Sequence, residues 1–217
     1  AGIEAAEAYA VERESFSAIT NAGEMVDYKS NLTRGLGFRG LLNGRMGYAA
    51  TEAFDDEAVG QLVRGVLESA ELCEDTDEER LYPGGDEVPA ISLYDAALDE
   101  VTPEAKLALI AELERRVKGC DPRIENGYNG VQTGRRNVRI VNSLGLDRSY
   151  TENMCALFAE PNAKENGFVS SGMYEQTARA FDELSAKAVA EESAARAVGG
   201  LHAKPVPSGS YRVILHN

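Results

Sequence analysis

The sequence is poor in basic residues, and it contains no long hydrophobic run. Its 22 lysines and arginines face 36 aspartates and glutamates, which gives a formal net charge of −14 at pH 7. A chain this acidic repels phosphate, so direct binding to nucleic acid or to an anionic membrane surface is not expected. No apolar stretch approaches the roughly 20 residues that a membrane span requires, and no charged and then apolar leader opens the sequence.

Metal-ligating side chains are also scarce. The two histidines, His202 and His216, both lie near the end, and the cysteines, Cys73, Cys120 and Cys155, form no C-x-x-C pair. This spacing does not match a zinc site, and isolated cysteines are more typical of reduced thiols in the cytoplasm than of a disulfide framework. We therefore expect a cytoplasmic protein with one or two domains and a substantial core, in which this chain binds no metal or other cofactor.

The most informative stretch is Arg34–Thr51, which is rich in glycine. Asn43 and Gly44 stand between two apolar runs and predict a two-residue β-hairpin turn, because both tolerate a positive φ. The spacing of the glycines does not match the phosphate-binding pattern G-x-G-x-x-G. Glycine inside strands indicates bulges, strong twist or close approach of another backbone, and a curved sheet packed tightly on a helix is the simplest interpretation.

The first part of the chain alternates as strands do, and a helix follows. Residues 8–11, 15–20 and 24–30 predict three strands, and Asp55 and Asp56 begin the helix. The predicted buried face of this helix consists of Val59, Leu62, Val63, Val66, Leu67 and Ala70. The acidic run at residues 71–80 lacks the spacing of a calcium loop and indicates a solvated linker.

A second series of elements begins after residue 90. Thr102 caps a helix with Pro103 in its first turn, and Gly119 ends it. Four strands are then predicted at 131–133, 138–141, 150–159 and 168–174, followed by a long helix at about 175–198. An apolar strand is expected at 211–215, and it suggests a natural protein that continues beyond this sequence.

Strands that arrive in runs, rather than in alternation with helices, predict an α+β fold. We expect antiparallel or mixed sheets with helices packed on them, arranged as two α+β blocks. The predicted domains are residues 1–90, with the glycine-rich hairpin sheet and a helix, and residues 91–204, with a helix, an antiparallel sheet and a long helix. Residues 205–217 are expected to form the first strand of a C-terminal domain that this sequence does not contain.

No catalytic motif is evident. The sequence lacks G-x-S-x-G and H-E-x-x-H, and neither histidine lies near a serine or cysteine in a known local pattern. A pair of carboxylates acting on a substrate stays possible in so acidic a chain, although no pair stands out. Arg135, Arg136 and Arg139 gather basic charge without interleaved aromatic residues, which favours a solvated hairpin face over a nucleic-acid interface.

Segments spread over nearly the whole chain resemble the TldD/PmbA family, whose members were once described as modulators of DNA gyrase. RGLGFRGLLNGRMGYAAT, at Arg34–Thr51, is similar to a glycine-rich segment near the start of those proteins, and the helix from Asp55 follows where the family places one. Five further segments are similar to the PmbA (TldE) branch, namely residues 93–98, 102–106, 121–124, 141–146 and 204–213.

The resemblance implies the N-terminal region of a PmbA-type subunit in a cytoplasmic metallopeptidase assembly. In such assemblies a TldD-type subunit carries His-Glu-x-x-x-His and further ligands in its C-terminal domain, and the PmbA-type subunit lacks them. The implied partners are that catalytic subunit or further copies of this chain, and the implied substrate is a peptide or an unfolded protein. Zinc would be held by the catalytic partner, so no catalytic or metal residue carries over to this sequence.

Three functions therefore stay open. The first is assembly and peptide capture, with main-chain hydrogen bonds at strand edges. The second is an interaction domain that modulates DNA gyrase or another protein, and the third is a stand-alone hydrolase that depends on carboxylates. The candidate residues for shaping or lining a peptide groove are Arg34, Gly35, Gly37, Asn43, Gly44, Gly47, Asn142 and Gly145.

Overall fold

The computed structural model describes residues 2–73, 79–85 and 87–215, and it contains an antiparallel sheet of seven strands with helices packed on it. The strands are β1 (Ala5–Asn21), β2 (Glu24–Leu42), β3 (Arg45–Thr51), β4 (Ile124–Asn142), β5 (Asp147–Glu165), β6 (Phe168–Ser171) and β7 (Tyr174–Ala178). The helices are α1 (Asp56–Leu72), α2 (Ala96–Asp99), α3 (Pro103–Cys120) and α4 (Ala186–Gly200), with a 3-10 turn at Phe181–Glu183.

The strand order across the sheet is β3-β2-β1-β4-β5, and both β6 and β7 pair with the outer side of β5. The predicted α+β class, with antiparallel strands and helices packed on them, is confirmed. The strands of both predicted blocks lie in one sheet, because β1 pairs with β4 from Glu7 to Asn21. The boundaries of the predicted domains stay a prediction.

The strands are much longer than the sequence pattern indicates. Residues 8–11 and 15–20, predicted as separate strands, are parts of β1, and 131–133 and 138–141 are both parts of β4. Charged residues interrupt the apolar alternation between these segments, but ion pairs with neighbouring strands accommodate them. Glu12 pairs with Arg34 at 2.6 Å, and Glu14 pairs with Arg135 at 2.7 Å.

Alternation of side chains along β1 separates the two faces of the sheet. Phe16 and Ala18 belong to the core beneath α3 and α4, whereas Ala5 lies on the other face with Met46 and Leu81. Since α1 contacts Gly40, the partner of the even-numbered Ala6, it packs on the same face as α3 and α4. We call this side, to which the even-numbered residues of β1 point, the helix face.

The main core lies between the helix face and the pair α3–α4. Its most deeply buried large side chains are Ile110, Leu113, Val131, Leu157 and Val189. Each such side chain contributes about 1.5–3 kcal/mol when it leaves water. The core therefore fixes α3 and α4 over one end of the sheet, while α1 packs at the other end against β2 and β3.

The helices α1 and α3 begin where the sequence predicts. Asp55 Oδ1 accepts a hydrogen bond from Ala58 N at 2.8 Å, and Thr102 Oγ1 accepts one from Ala105 N at 3.3 Å, so both are N-caps. Of the predicted buried face of α1, Leu62, Val66 and Ala70 are buried. The assignment of Val59 to this face is wrong: Val59 is 52% exposed, because Ala58 takes the buried position one turn before Leu62.

The predicted glycine-rich hairpin is present. Asn43 and Gly44 have φ angles of 51° and 75°, and they join β2 to β3 as a two-residue turn. Gly40 and Gly47 face each other across the two strands. A Cβ on either glycine would meet Val66 of α1, so the close packing of a helix that the glycines predict is confirmed.

The prediction of a helix at 175–198 and a strand at 168–174 is wrong in its boundaries. The segment forms two short strands, β6 and β7, then the 3-10 turn, and α4 begins only at Ala186. Residues 174–178 pair with β5, and this pairing outweighs the helical spacing of their apolar side chains. Ser185 Oγ caps α4 by accepting a hydrogen bond from Ala188 N. Residues 94–98, whose sequence indicates a short connecting stretch, include most of the short helix α2.

Part of the outer edge of β2 has no partner strand among the described residues. The outer side of β2 pairs with β3 only from Leu36 to Leu42, which leaves residues 24–35 without a partner. The outer side of β5 pairs with β7 and β6 from Cys155 onward, and before that Asn153 N donates to Leu93 O at 3.1 Å. Sheet edges of this kind present main-chain donors and acceptors to their surroundings.

The last described residues, 211–215, form no strand with the rest of the described chain, and their role in a further domain stays a prediction. His216 and residues 74–78 of the acidic run lie outside the described residues. No helix in the described ranges is both long and apolar enough to cross a membrane.

Candidate functional site

A groove crosses the helix face of the sheet next to α1. Its volume is about 730 Å³, and residues of β1, β2, β4 and β5 line it together with Phe54, which precedes α1. The helices α1 and α3–α4 pack toward opposite ends of the long strands, so the middle of the helix face stays open here. Such a cleft has the size of a small-molecule or peptide site.

Four side chains from adjacent strands form a continuous hydrogen-bonded row in this groove. Arg34 Nε donates to Glu12 Oε2 at 2.6 Å, and Asn137 Nδ2 donates to Glu12 Oε1 at 3.3 Å. Thr151 Oγ1 donates to Asn137 Oδ1 at 2.9 Å. The strand register places these residues opposite one another, because Glu12 pairs with both Arg34 and Asn137, and Asn137 pairs with Thr151. We call them the polar row.

The polar row is suited to binding rather than to acid–base chemistry. The hydrogen bond from Arg34 is the main cause that lowers the pKa of Glu12, so this carboxylate is ionised at neutral pH. A general acid needs a pKa near the working pH, and Glu12 is the one carboxylate among the described residues that line the groove. The row therefore offers fixed polar contacts across the sheet.

A second cavity, of about 500 Å³, lies between β2, β1, β4 and the start of α3. Lys106 of α3 points into it, and its Nζ donates to Thr133 Oγ1 at 3.0 Å and lies 4.6 Å from the centre of the Phe16 ring. Burial lowers the pKa of Lys106, against the attraction of the Asp99 carboxylate. Thr133 and Phe16 partly replace the water that this ammonium group loses.

Asp99, at the end of α2, connects this cavity to the sheet. Its Oδ2 accepts from Tyr94 Oη at 2.7 Å and from Arg135 Nη1 at 2.9 Å, and its Oδ1 accepts from Asn153 Nδ2 at 3.2 Å. Burial raises the pKa of Asp99, but these hydrogen bonds outweigh it and the net pKa is lowered. The carboxylate is thus fully engaged in fixing α2 to β4 and β5.

The other face of the sheet carries a different network at the β4–β5 turn. Glu7 is buried, and its Oε1 accepts from Arg39 Nη2 at 2.6 Å. Asn142 Nδ2 donates to Glu7 Oε2 at 3.2 Å and to the Tyr82 carbonyl at 2.7 Å. Asn142 Oδ1 accepts from the N–H groups of Leu144 and Leu146, both at 3.0 Å. This network ties the segment 79–85 to the sheet.

The residues that the sequence singled out do not form one site. Arg34 lies in the polar row, whereas Gly35 and Gly37 belong to the opposite face, beside Val11 and Tyr9 respectively. Asn43 and Gly44 form the hairpin turn, and Gly47 contacts α1. Asn142 and Gly145, whose φ is 110°, shape the β4–β5 turn. Contact of any of them with a peptide stays a prediction.

Sequence reasoning missed three members of the polar row, Glu12, Asn137 and Thr151. They come from strands far apart in the chain, and no local motif contains them. Only the register between β1, β4 and β5 brings them together. The basic residues Arg135, Arg136 and Arg139 were found in the sequence, and the structure pairs them with Glu14 and Asp99, Glu152, and Asp147 respectively.

No group of three or more histidine, cysteine, aspartate or glutamate side chains in the described part of the chain could hold a metal ion. His202 Nε2 lies 2.9 Å from Glu165 Oε2, but the neighbouring groups are the guanidinium of Arg123 and its partner Asp121. The described residues thus do not fit a catalytic metal, and we derive no metal-dependent step from them.

The chain belongs to the PmbA/TldA metallopeptidase family. Residues 6–70 match the family's domain 1, and residues 96–201 match its central domain. Together the two matches cover most of the chain, and they lie within the predicted segments 1–90 and 91–204. No curated protein sequence matches the chain.

Solved structures of two bacterial proteins, both described as candidate modulators of DNA gyrase, are similar to this fold. The protein from Thermotoga maritima has a TM-score of 0.83 and 19% identity, over 94% of this chain and 46% of its own. The protein from Bacteroides thetaiotaomicron has a TM-score of 0.82 and 21% identity, over 97% of this chain and 49% of its own.

TldE from Thermococcus kodakarensis is also similar, with a TM-score of 0.77 and 16% identity, over 90% of this chain and 44% of its own. At these identities the likeness establishes the fold. The chain spans about half the length of the solved relatives it matches.

Proposed function

We propose that this chain is the N-terminal region of a PmbA/TldE-like subunit in a cytoplasmic TldD/PmbA metallopeptidase complex. In this role it is non-catalytic, and it serves assembly and the capture of peptides or unfolded protein for cleavage. The family matches over residues 6–70 and 96–201 are the observation that carries the proposal. The TldE fold supports the assignment to this branch.

Two features of the structure support a non-catalytic role. The polar row contains a single carboxylate, with a lowered pKa and a bound arginine, and the carboxylate of Asp99 is occupied by three donors. The described residues also provide no ligand set for a metal. In the proposed complex, bond cleavage and zinc binding belong to a TldD-type catalytic subunit.

Peptide capture is supported by the unpaired part of the β2 edge and by the open groove. An extended peptide binds a sheet edge through main-chain hydrogen bonds, which do not depend on its sequence. A subunit that presents many different peptides to a peptidase benefits from this tolerance. The net charge of −14 favours neutral or basic peptides and disfavours nucleic acid as a direct partner.

The proposal is tested by mixing the full-length protein that contains this chain with a TldD-type subunit. We expect a complex on size-exclusion chromatography and zinc-dependent peptide cleavage that requires both proteins. Cleavage by the TldD-type subunit that is unchanged by this protein, with no complex, would contradict the proposal. Cleavage by the purified 217-residue chain alone would instead identify a stand-alone hydrolase.

The relatives described as candidate DNA gyrase modulators favour a second function, an interaction domain for gyrase or another protein. A pull-down from cell lysate separates the two proposals. Recovery of gyrase without a peptidase subunit would favour the second, and recovery of a TldD-type subunit would favour the first.

A further inference from the structure

The unpaired part of β2 has a defined pattern of outward main-chain groups. Ser143 N donates to Ala6 O, so even-numbered residues of β1 direct their main-chain groups to β4 and odd-numbered ones to β2. In the β1–β2 register, odd residues pair with odd residues, as Arg13 does with Thr33. The even-numbered residues of β2 therefore direct their N–H and C=O groups outward.

Four consecutive even-numbered residues, Tyr28, Ser30, Leu32 and Arg34, lie where no described strand pairs with β2. The same parity continues into the paired part of β2, where the last register pair with β3 is Leu36 with Thr51. After Thr51 the chain turns away toward α1. An added strand beside Tyr28–Arg34 would thus continue the line of β3 with the hydrogen-bond pattern already set.

The side chains along this edge point to specific peptide chemistry. Tyr28 and Leu32 are 51% and 53% exposed, and both lie on the helix face, on the same side as Phe16. Tyr28 is held in place by an edge-on contact with the Phe16 ring, with 5.3 Å between ring centres. Apolar side chains at alternate positions of an added strand would pack beside these two residues.

A second copy of the chain is a weaker candidate for this edge than a peptide. A stable protein–protein interface takes roughly 20–30 residues from each side, whereas the edge from Tyr28 to Arg34 offers seven. Two copies would also bring together two charges of −14. A neutral or basic peptide meets neither obstacle, because a single added strand is held by main-chain hydrogen bonds.

We propose that the edge Tyr28–Arg34 of β2 binds an extended, neutral or basic peptide as an added antiparallel strand, with apolar side chains at alternate positions toward Tyr28 and Leu32. This rests on the proposed function, since it names where peptide capture occurs and which class of peptide is captured. The polar row begins at Arg34, so a peptide that continues past this residue reaches the open groove.

The test uses a fluorescent peptide of alternating valine and threonine with a lysine at each end, and fluorescence anisotropy with the 217-residue chain. In Ser30→Pro an outward N–H is removed, while the bonds from β2 to β1 stay intact. We expect this variant to bind the peptide about tenfold more weakly, because one main-chain hydrogen bond is lost and the peptide main chain can no longer approach the edge closely at residue 30. Ser30→Ala is the matched control: it keeps the outward N–H at the same position, and binding should stay unchanged.

Leu32→Lys provides a second variant that keeps every main-chain donor. It should weaken binding of the valine peptide, through lost apolar contact and charge repulsion, even if Ser30→Pro folds poorly. Circular dichroism and urea unfolding check the fold of each variant. Equal peptide binding by the wild-type chain, Ser30→Pro and Leu32→Lys would overturn the proposal, as would the absence of binding to the wild-type chain.

Two further results separate this proposal from its alternatives. If the wild-type chain is a dimer in sedimentation and Ser30→Pro is a monomer, the edge binds a second copy and the peptide proposal is wrong. If the full-length protein forms the TldD-type complex but the edge binds no peptide, only the peptide site fails. If the edge binds peptide but no complex forms, the subunit assignment fails and the peptide site stands.

Discussion

Gly47 of β3 lies directly against the backbone carbonyl of Val66 in α1, so close that a Cβ on residue 47 would overlap it. We expect Gly47→Ala to lower the free energy of unfolding by about 1–3 kcal/mol, because the helix must move away from the sheet. Urea denaturation measures this change. Gly119→Ala is the control: a Cβ at that helical position meets nothing within 4 Å, so it should be neutral or slightly stabilising. Equal effects of the two variants would contradict the packing.

Asn142 connects the β4–β5 turn to the segment that contains Tyr82. Because Asn142→Ala removes its hydrogen bonds to Tyr82 O, Glu7 and the turn, we expect a loss of about 1–3 kcal/mol in unfolding free energy. Hydrogen exchange should also become faster in residues 79–85. Asn43→Gly should change neither quantity appreciably, since glycine readily adopts its φ of 51°. Unchanged exchange at 79–85 in Asn142→Ala would show that the segment is held by other contacts.

Lys106 should make stability depend on pH in the alkaline range. Its pKa is lowered in the folded chain, mainly by burial, so between that value and the unfolded pKa of about 10.4 the unfolded chain binds more protons. Stability from this group therefore rises with pH across that window. Lys106→Met lacks the titrating group. We therefore expect the free energy of unfolding of the wild-type chain, relative to that of Lys106→Met, to increase from pH 7 to pH 10.

The groups that face Lys106 are Asp99, Glu14, Arg135 and Cys155, and they are present in both proteins. The difference between the wild-type chain and Lys106→Met thus isolates the lysine. Urea unfolding of both proteins at the two pH values measures it. Parallel pH dependence in the two proteins would mean that the ammonium group of Lys106 is solvated.

The three cysteines should differ widely in reactivity. Cys155 is completely buried, and burial raises its pKa to about 11, so at pH 8 its thiolate fraction is roughly a hundredfold below that of an ordinary cysteine. We expect iodoacetamide to label the exposed Cys120 in the folded chain and Cys155 only when the chain unfolds. Peptide mass spectrometry over time follows each site. Labelling of Cys155 at the rate of Cys120 in the folded chain would contradict its burial.

Local signals in the sequence predict the parts of the fold that depend on neighbouring residues. Asn43-Gly44 predicts the turn, Asp55 and Thr102 predict the helix starts, and the glycine density predicts the close contact of a helix with β2 and β3. These features are set by φ preferences, capping hydrogen bonds and the absence of a Cβ, all of which act within a few residues.

The features that the sequence does not predict depend on strand pairing over long distances. Residues 174–178 have apolar spacing that suits a helix, but pairing with β5 makes them a strand. The polar row is of the same kind, since Glu12 and Asn137 become neighbours only through the β1–β4 register. Glu12 and Glu14, which look like a strand break, lie within β1 because Arg34 of β2 and Arg135 of β4 neutralise them.

Amide exchange of the β2 edge, followed by NMR with and without the valine–threonine peptide, tests most directly whether the sheet captures an extended chain. The account predicts that the peptide slows exchange at Ser30, Leu32 and Arg34, whose N–H groups point outward, and leaves the odd-numbered Asn31 and Thr33 unchanged, because β1 already protects them. Bound peptide with unchanged exchange at the three even-numbered residues would contradict it.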